Sequence, residues 1–263
     1  VLADFCSVVN GHVGGTVAIK GSFEKPLLNG ALDLSIRRVL VDYLGIAIEH
    51  RKPQKLYIEE NSFYFDRFKL TDTQRDTAII DGHLYHDNFK NFQFDMYFEF
   101  DHFLVLNTTE KENEDYFGRV YATGFVDLFG YADKKIRMDI TATTASVNRG
   151  GNLISSDFNI PMSTTSEAGE NDFIVFEDED DTLKPPGGPI KKVFNDNGIE
   201  LTMNLTVTED ALIHVIFDET VGDELSARGN GDLMMLITPS GDFTMVGSYI
   251  VKRGDYMFTL KNV

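Results

Sequence analysis

The stretch that decides the fold is Phe92-Gln-Phe-Asp-Met-Tyr-Phe-Glu-Phe-Asp101, in which every even-numbered residue from 92 to 100 is apolar and every odd-numbered residue is polar or Tyr. A period of two is the pattern of a β-strand with one apolar face, because successive side chains of a strand point to opposite sides. The stretch therefore predicts a strand whose apolar face carries Phe92, Phe94, Met96, Phe98 and Phe100.

The same alternation recurs along the chain. It is clear at residues 199–208, and shorter runs lie at 32–36, 120–126 and 136–142. No stretch of a dozen residues has an apolar stripe at helical spacing bounded by helix caps. The chain is therefore predicted to be all-β, and strand parity adds to the apolar face Val120, Val126, Ile136, Met138, Ile140, Leu201, Met203, Leu205 and Val207.

Glycines punctuate three of these regions in a repeated unit. Five residues separate the first two glycines in each unit, and the pairs are Gly15 and Gly21, Gly118 and Gly124, and Gly241 and Gly247. A glycine inside a strand indicates a bulge, a bend or the close approach of another backbone. Glycines at this spacing would let successive strands curve around one axis. An elongated stacked sheet and a β-sandwich both fit the pattern.

Composition narrows the class of protein. The chain has 263 residues, a formal net charge of −18 and one Cys. The acidic charge argues against binding to nucleic acid and against a polybasic membrane-surface module. A single Cys excludes a disulfide framework within the chain, and no apolar run approaches the length of a membrane-spanning helix. Because the chain opens Val-Leu-Ala-Asp-Phe without Met, we expect it to be an excerpt of a longer protein.

A boundary is predicted in the second half of the chain. Residues 167–181 contain eight acidic residues and no basic one, and a Pro- and Gly-rich stretch follows at 184–189. Such a stretch cannot hold a regular strand ladder. We predict a β segment at 1–162 and an exposed acidic and Pro/Gly-rich linker or long loop at 163–194. A distal β segment of the same domain is predicted at 195–263.

The residues offer no catalytic or metal-binding motif. The acidic run lacks the spacing of a calcium-binding loop. His83 and His86 are three apart, so on a strand they face opposite sides. No phosphate-binding loop, nucleophile elbow or zinc-protease motif occurs. The sequence predicts no enzyme, no catalytic residues, no metal site and no cofactor.

A family resemblance rests on the order of the glycine-punctuated strands. Residues 117–146, FGRVYATGFVDLFGYADKKIRMDITATTAS, resemble the C-terminal region of TamB, the translocation and assembly module of the AsmA-like superfamily, in its Bacteroidota form. Similar pieces lie at 15–34, 100–112, 152–162, 172–180 and 201–260, so the resemblance covers nearly all of the chain.

The resemblance implies a fold and a function. The fold would be an elongated, half-open β-taco, similar to a β-solenoid, with an apolar concave groove and little or no helix. The family implies a periplasmic body that conducts phospholipids between the inner and outer membranes, anchored at the inner membrane by a segment outside this chain. It also implies an outer-membrane barrel of the BamA superfamily as partner, either TamA-like or a lipoprotein variant.

The resemblance also implies candidate sites, and two alternative functions stay open. The apolar positions given above would form the lipid-binding groove. The distal edge would dock the barrel partner, through Gly247, Tyr249, Tyr256 and Phe258. One alternative is an assembly factor or chaperone for outer-membrane proteins that acts through the same partner. Another is a purely structural β-sandwich or adhesion module whose Phe stripe forms a closed core.

Overall fold

The computed structural model describes residues 6–22, 24–113, 116–161, 198–218, 223–240 and 242–257. Within them the prediction of an all-β chain is confirmed, since the only helical element is the three-residue 3₁₀ helix Asp42–Leu44. The strands are β1 (Cys6–Gly21), β2 (Pro26–Val41), β3 (Ile46–Glu60), β4 (Ser62–Asp72), β5 (Thr77–Asp87), β6 (Lys90–Thr108), β7 (Phe117–Tyr131), β8 (Lys135–Arg149), β9 (Asn152–Ser155), β10 (Asp157–Pro161), β11 (Gly198–Val207), β12 (Leu212–Asp218), β13 (Asp223–Ile237) and β14 (Phe243–Met257).

All fourteen strands belong to one hydrogen-bonded sheet. Strands β1 to β8 follow chain order as an antiparallel ladder, as expected for alternating strands joined by short turns. At the far end β14 pairs with β13. Among the described strands, β1 pairs only with β2, β14 only with β13 and the short β9 only with β8, so each of these three has an edge without a partner among them.

Two strand positions lie between β7 and β13. Each position is occupied by two strands placed end to end along the neighbouring strand. Strands β8 and β10 share one edge of β7, because β6 occupies the other edge along its whole length. Strands β11 and β12 share one edge of β13 in the same way. The middle pairs β8–β11 and β10–β12 are parallel.

The two predicted β segments therefore adjoin within one sheet, where the parallel pairs β8–β11 and β10–β12 join them. The predicted linker at 163–194 lies outside the described residues, and so does the centre of the acidic run. The boundaries at 162, 163, 194 and 195 stay a prediction.

Side-chain hydrogen bonds connect the strands at the seam, which is the place where β8 is followed by β10 and β11 by β12. The buried Ser156 hydroxyl accepts the Tyr121 N–H at 2.9 Å and donates to the Ala145 carbonyl oxygen at 2.9 Å. The Asp210 carboxylate accepts the hydroxyls of Ser146 and Thr208. Burial raises the pKa of Asp210, but these hydrogen bonds outweigh burial and lower it overall.

Replacing Asp210 with Asn should therefore destabilise the fold by about 1 kcal/mol at pH 7, because charge-assisted hydrogen bonds are lost. The folded-state pKa lies below the ordinary value of 3.8. The carboxylate thus stabilises the fold above about pH 4, and this contribution disappears as the pH falls through the folded pKa. Urea unfolding of the variant and the parent protein at pH 7 and at about pH 3 measures this contribution to stability. A difference between variant and parent that is equal at both pH values would contradict the assignment.

A hairpin arm, residues 146–155, leaves the sheet between β8 and β10 and packs on the turn between β4 and β5. The Arg149 guanidinium pairs with the Asp76 carboxylate, and its Nε donates to Gln74 Oε1 at 2.9 Å. Gln74 Nε2 in turn donates to the Tyr121 hydroxyl at 2.5 Å. Tyr121 is completely buried beneath this arrangement. The arm thereby ties β8 to a hairpin that is three strands away.

The sheet narrows where the β4–β5 hairpin ends. Beyond its turn the backbone at the start of β3 reaches β6 directly, and Asn107 Nδ2 donates to the Gly45 carbonyl oxygen at 3.5 Å. Gly45 ends the 3₁₀ helix in a left-handed conformation with φ of 63°. A Cβ at this position would lie 2.1 Å from the carbonyl oxygen of Asn107. Glycine is thus required by both backbone conformation and space.

Candidate functional site

The apolar positions of neighbouring strands stand opposite one another and form rows across the sheet. The longest row crosses β1 to β8 and β11 without a polar side chain, and it contains Val17, Gly30, Ile58, Phe63, Leu84, Phe94, Gly130, Ile136 and Ile199. Because all members of a row point to the same side, the row is an apolar band that runs perpendicular to the strands.

Three further rows lie parallel to the first on the same face. The second contains Phe68, Ile80, Phe98, Val126, Ile140, Met203, Met235 and Met245. The third contains Leu70, Ala78, Phe100, Gly124, Ala142, Leu205, Leu233 and Gly247. The fourth contains Phe65, Gly82, Met96, Leu128, Met138, Leu201 and Ile237. We call the face with these four rows the groove face, and the opposite face the outer face.

The structure brings most of the parity-predicted groove residues together. Eleven of the fourteen stand in the four rows, and Val207 lies one step beyond the third row, opposite Gly231. Phe92 precedes the rows on β6, half-buried beside His86. Val120 is buried in a separate small cluster with Leu106 and Tyr116. The row partners on β4, β5 and β13 were not among the predicted positions, although their own alternation could have identified them.

Burial differs between the rows of the groove face: the third row is largely buried, whereas the middle of the second row is accessible. On β4 and β13, toward the two sides of the second row, Phe68 and Met235 are 2% and 5% exposed. Between them Phe98, Val126, Ile140 and Met203 are only half-buried, although row neighbours flank each of them on both sides. A second sheet packed on this face would bury such central residues most completely. The middle of the row is therefore an open apolar floor between buried shoulders.

The predicted docking residues lie on the edge strand β14. Gly247 is exposed at the end of the third row, and the hydroxyl of Tyr249 donates to the Ala227 carbonyl oxygen at 3.3 Å. Burial raises the pKa of Tyr249. Tyr256 is 57% exposed and meets the Phe217 ring edge-on at 6.0 Å. Phe258 lies outside the described residues.

His83 and His86 both pack against aromatic rings. His86 is buried and stacks on Phe89 at 4.6 Å between ring centroids, and burial lowers its pKa. His83 stacks on Tyr64 at 4.5 Å. Within the part of the chain that the structure describes, no group of three or more His, Cys, Asp and Glu side chains is placed to hold a metal ion. Likewise, the described residues contain no helix with the length and apolarity needed to cross a membrane.

Comparison with known proteins gives one family. The model of the TamB C-terminal domain family matches residues 66–263, which is about three quarters of the chain. No curated protein and no solved structure shows significant similarity. TamB proteins are non-enzymatic modules of outer-membrane assembly and transport in the periplasm of the cell envelope. On this match, the chain belongs to the TamB C-terminal domain family.

Proposed function

We propose that the groove face conducts phospholipids between the inner and outer membranes, as part of a periplasm-spanning bridge anchored at the inner membrane. The observation that carries the proposal is the open apolar floor. Four rows without a charged residue cross neighbouring strands, and the central residues of the second row keep access from outside. A face of this kind is unusual for a monomeric protein unless it binds something apolar.

The chemistry of the floor suits acyl chains. Large, adaptable side chains such as Phe98, Ile140 and Met203 offer apolar contact without a polar group that would need a partner. Each methylene buried there would gain about 0.8 kcal/mol. The headgroup would stay in water along the open side of the groove, because no described floor residue could neutralise its charge. A lipid could then slide across successive strands without leaving apolar surface.

Photocrosslinking in cells tests the proposal. A photoreactive side chain at Phe98 or Met203 should yield phospholipid adducts, because both sites lie on the floor. Matched controls are Tyr97 and Asn204, the next residues on the same strands, which face outward. Phospholipid recovered with the floor probes, and not with the controls, is the expected result.

Two other outcomes would contradict lipid conduction. Adducts with unfolded segments of outer-membrane barrels would favour the assembly-factor alternative, in which the same floor holds apolar strands of client proteins. A folded protein with no adduct at either floor site would mean that the face is covered by other parts of the protein.

We further propose that the β14 edge docks the outer-membrane partner, a barrel of the BamA superfamily. An edge strand presents unpaired backbone N–H and C=O groups, and a strand of another protein can pair with them. The exposed Val246, Ile250 and Tyr256 on this strand would add apolar contact.

Deleting residues 241–263 should abolish co-purification with the barrel partner, because it removes this edge. The control is the photoprobe at Phe98, which should still give lipid adducts if the rest of the sheet is folded. Retention of the partner by the truncated protein would show that docking occurs elsewhere.

A further inference from the structure

The outer face carries aromatic rings and carboxylates in an alternating arrangement. On β6 and β7, Tyr97 stands opposite Asp127, and Glu99 stands opposite Phe125. The two rings stack across the diagonal at 5.9 Å between centroids. Tyr97 and Phe125 are 38% and 37% exposed, so each ring is partly open to solvent. We call these four residues the checkerboard.

The carboxylates of the checkerboard form no hydrogen bond or ion pair within the described residues. None of the hydrogen bonds and ion pairs within the described residues involves Glu99, Asp127 or Asp139. Asp127 and Asp139 stand directly opposite each other on β7 and β8. Like charges opposed in this way destabilise a sheet. These carboxylates therefore do not stabilise the fold, and a cation from outside would relieve their repulsion.

The same face already shows how such a cation would be held. The Arg137 guanidinium lies over the Phe129 ring at 5.4 Å, and its Nε donates to the Glu200 carboxylate at 3.0 Å. Ring and carboxylate thus share one guanidinium a short distance from the checkerboard. Lys134 lies over the neighbouring Tyr131 ring at 5.1 Å. Aromatic faces attract cations because their π-electrons are negative, and the planar guanidinium suits both partners.

We propose that the checkerboard is a docking surface for a protein partner that presents arginine side chains. Charge complementarity selects this occupant. A second copy of this chain, with its net charge of −18, would meet the surface with like charge, and so would an anionic lipid surface. A partner guanidinium would stack on Tyr97 or Phe125 while Glu99 and Asp127 accept its N–H groups.

The test uses fluorescence anisotropy with labelled peptides in which Arg, Lys or Glu alternates with Ser. The Arg peptide should bind at low ionic strength and about threefold more tightly than the Lys peptide, because only the guanidinium stacks well on a ring. The Glu peptide should not bind. The double variant Glu99→Gln, Asp127→Asn should weaken Arg-peptide binding about tenfold.

Matched variants distinguish binding at the checkerboard from nonspecific attraction of a cationic peptide to an acidic protein. The double variant Glu209→Gln, Asp255→Asn makes the same charge change at exposed positions elsewhere and should alter binding less than twofold, roughly the scatter expected for distant charges. Tyr97→Leu should weaken binding about threefold without a change in charge, and Tyr97→Phe should restore it. Equal losses in both double variants, or unchanged Arg-peptide binding by the Tyr97→Leu protein, would overturn the proposal.

Discussion

Aspartate in place of Phe68 should unfold the domain, whereas aspartate in place of Phe98 should leave it folded with an empty groove. The two residues stand in the same row, two strands apart. Phe68 is 2% exposed, so its replacement would bury a carboxylate with no partner. That change should cost about 5 kcal/mol or more, comparable with the whole stability of a typical domain.

The cost at Phe98 should be smaller because water reaches the floor. Loss of a half-buried aromatic ring should destabilise the fold by about 1–2 kcal/mol. The charge would, however, repel acyl chains, and a photoprobe at Met203 should then lose most of its lipid adducts. Urea unfolding measures the first effect and crosslinking the second. If Phe98→Asp is as destabilising as Phe68→Asp, the face is a closed core and the lipid proposal fails.

Valine in place of Gly45 should destabilise the fold by about 4 kcal/mol. A left-handed backbone costs an ordinary residue about 1–2 kcal/mol, and β-branching raises this cost. The added Cβ would also meet the backbone of Asn107, with the carbonyl carbon at 2.8 Å. The clash cannot be relieved by a side-chain rotation, so β3 would have to move away from β6 where the sheet narrows.

Gly14 provides the control for this variant. A Cβ there would meet only the tip of the His12 side chain, at 3.8 Å. Gly14→Val should therefore be nearly neutral, since valine also favours a strand. Thermal unfolding of both variants tests the difference. Similar midpoints would show that the contact between Gly45 and Asn107 contributes little to the fold.

Much of the groove face could be predicted from the sequence, because a period of two specifies which side each residue takes. The alternation from Phe92 to Phe100 and from Ile199 to Val207 assigns sides correctly without any knowledge of pairing. Pairing of neighbouring strands then aligns those sides into rows. Whether the face is open or covered could not be predicted, because a closed core and an open floor use the same alternation.

The seam and the hairpin arm could not be predicted for a different reason. Ser156 bonds to Tyr121, and Arg149 pairs with Asp76, over separations in sequence that leave no periodic signal. The checkerboard cannot be identified from the alternation between Phe92 and Phe100 alone, because Tyr97 occupies one of its polar positions. The odd-numbered Phe125, Phe129 and Tyr131 on β7 were the available signal, since strand parity places all three on the outer face.

The parallel pairing of β8 with β11 has a consequence for the order of folding. Strands β1 to β8 can pair as they emerge, because each contacts its predecessor across a short turn. Among the described strands, the free edge of β8 is covered by Gly198–Val207, which is synthesised well after β8 ends at Arg149. Until then the nascent chain displays an apolar strand with an unpaired backbone, the kind of surface that aggregates. The last quarter of the chain therefore completes the sheet, and its arrival covers the edge of β8 that is most prone to misassembly.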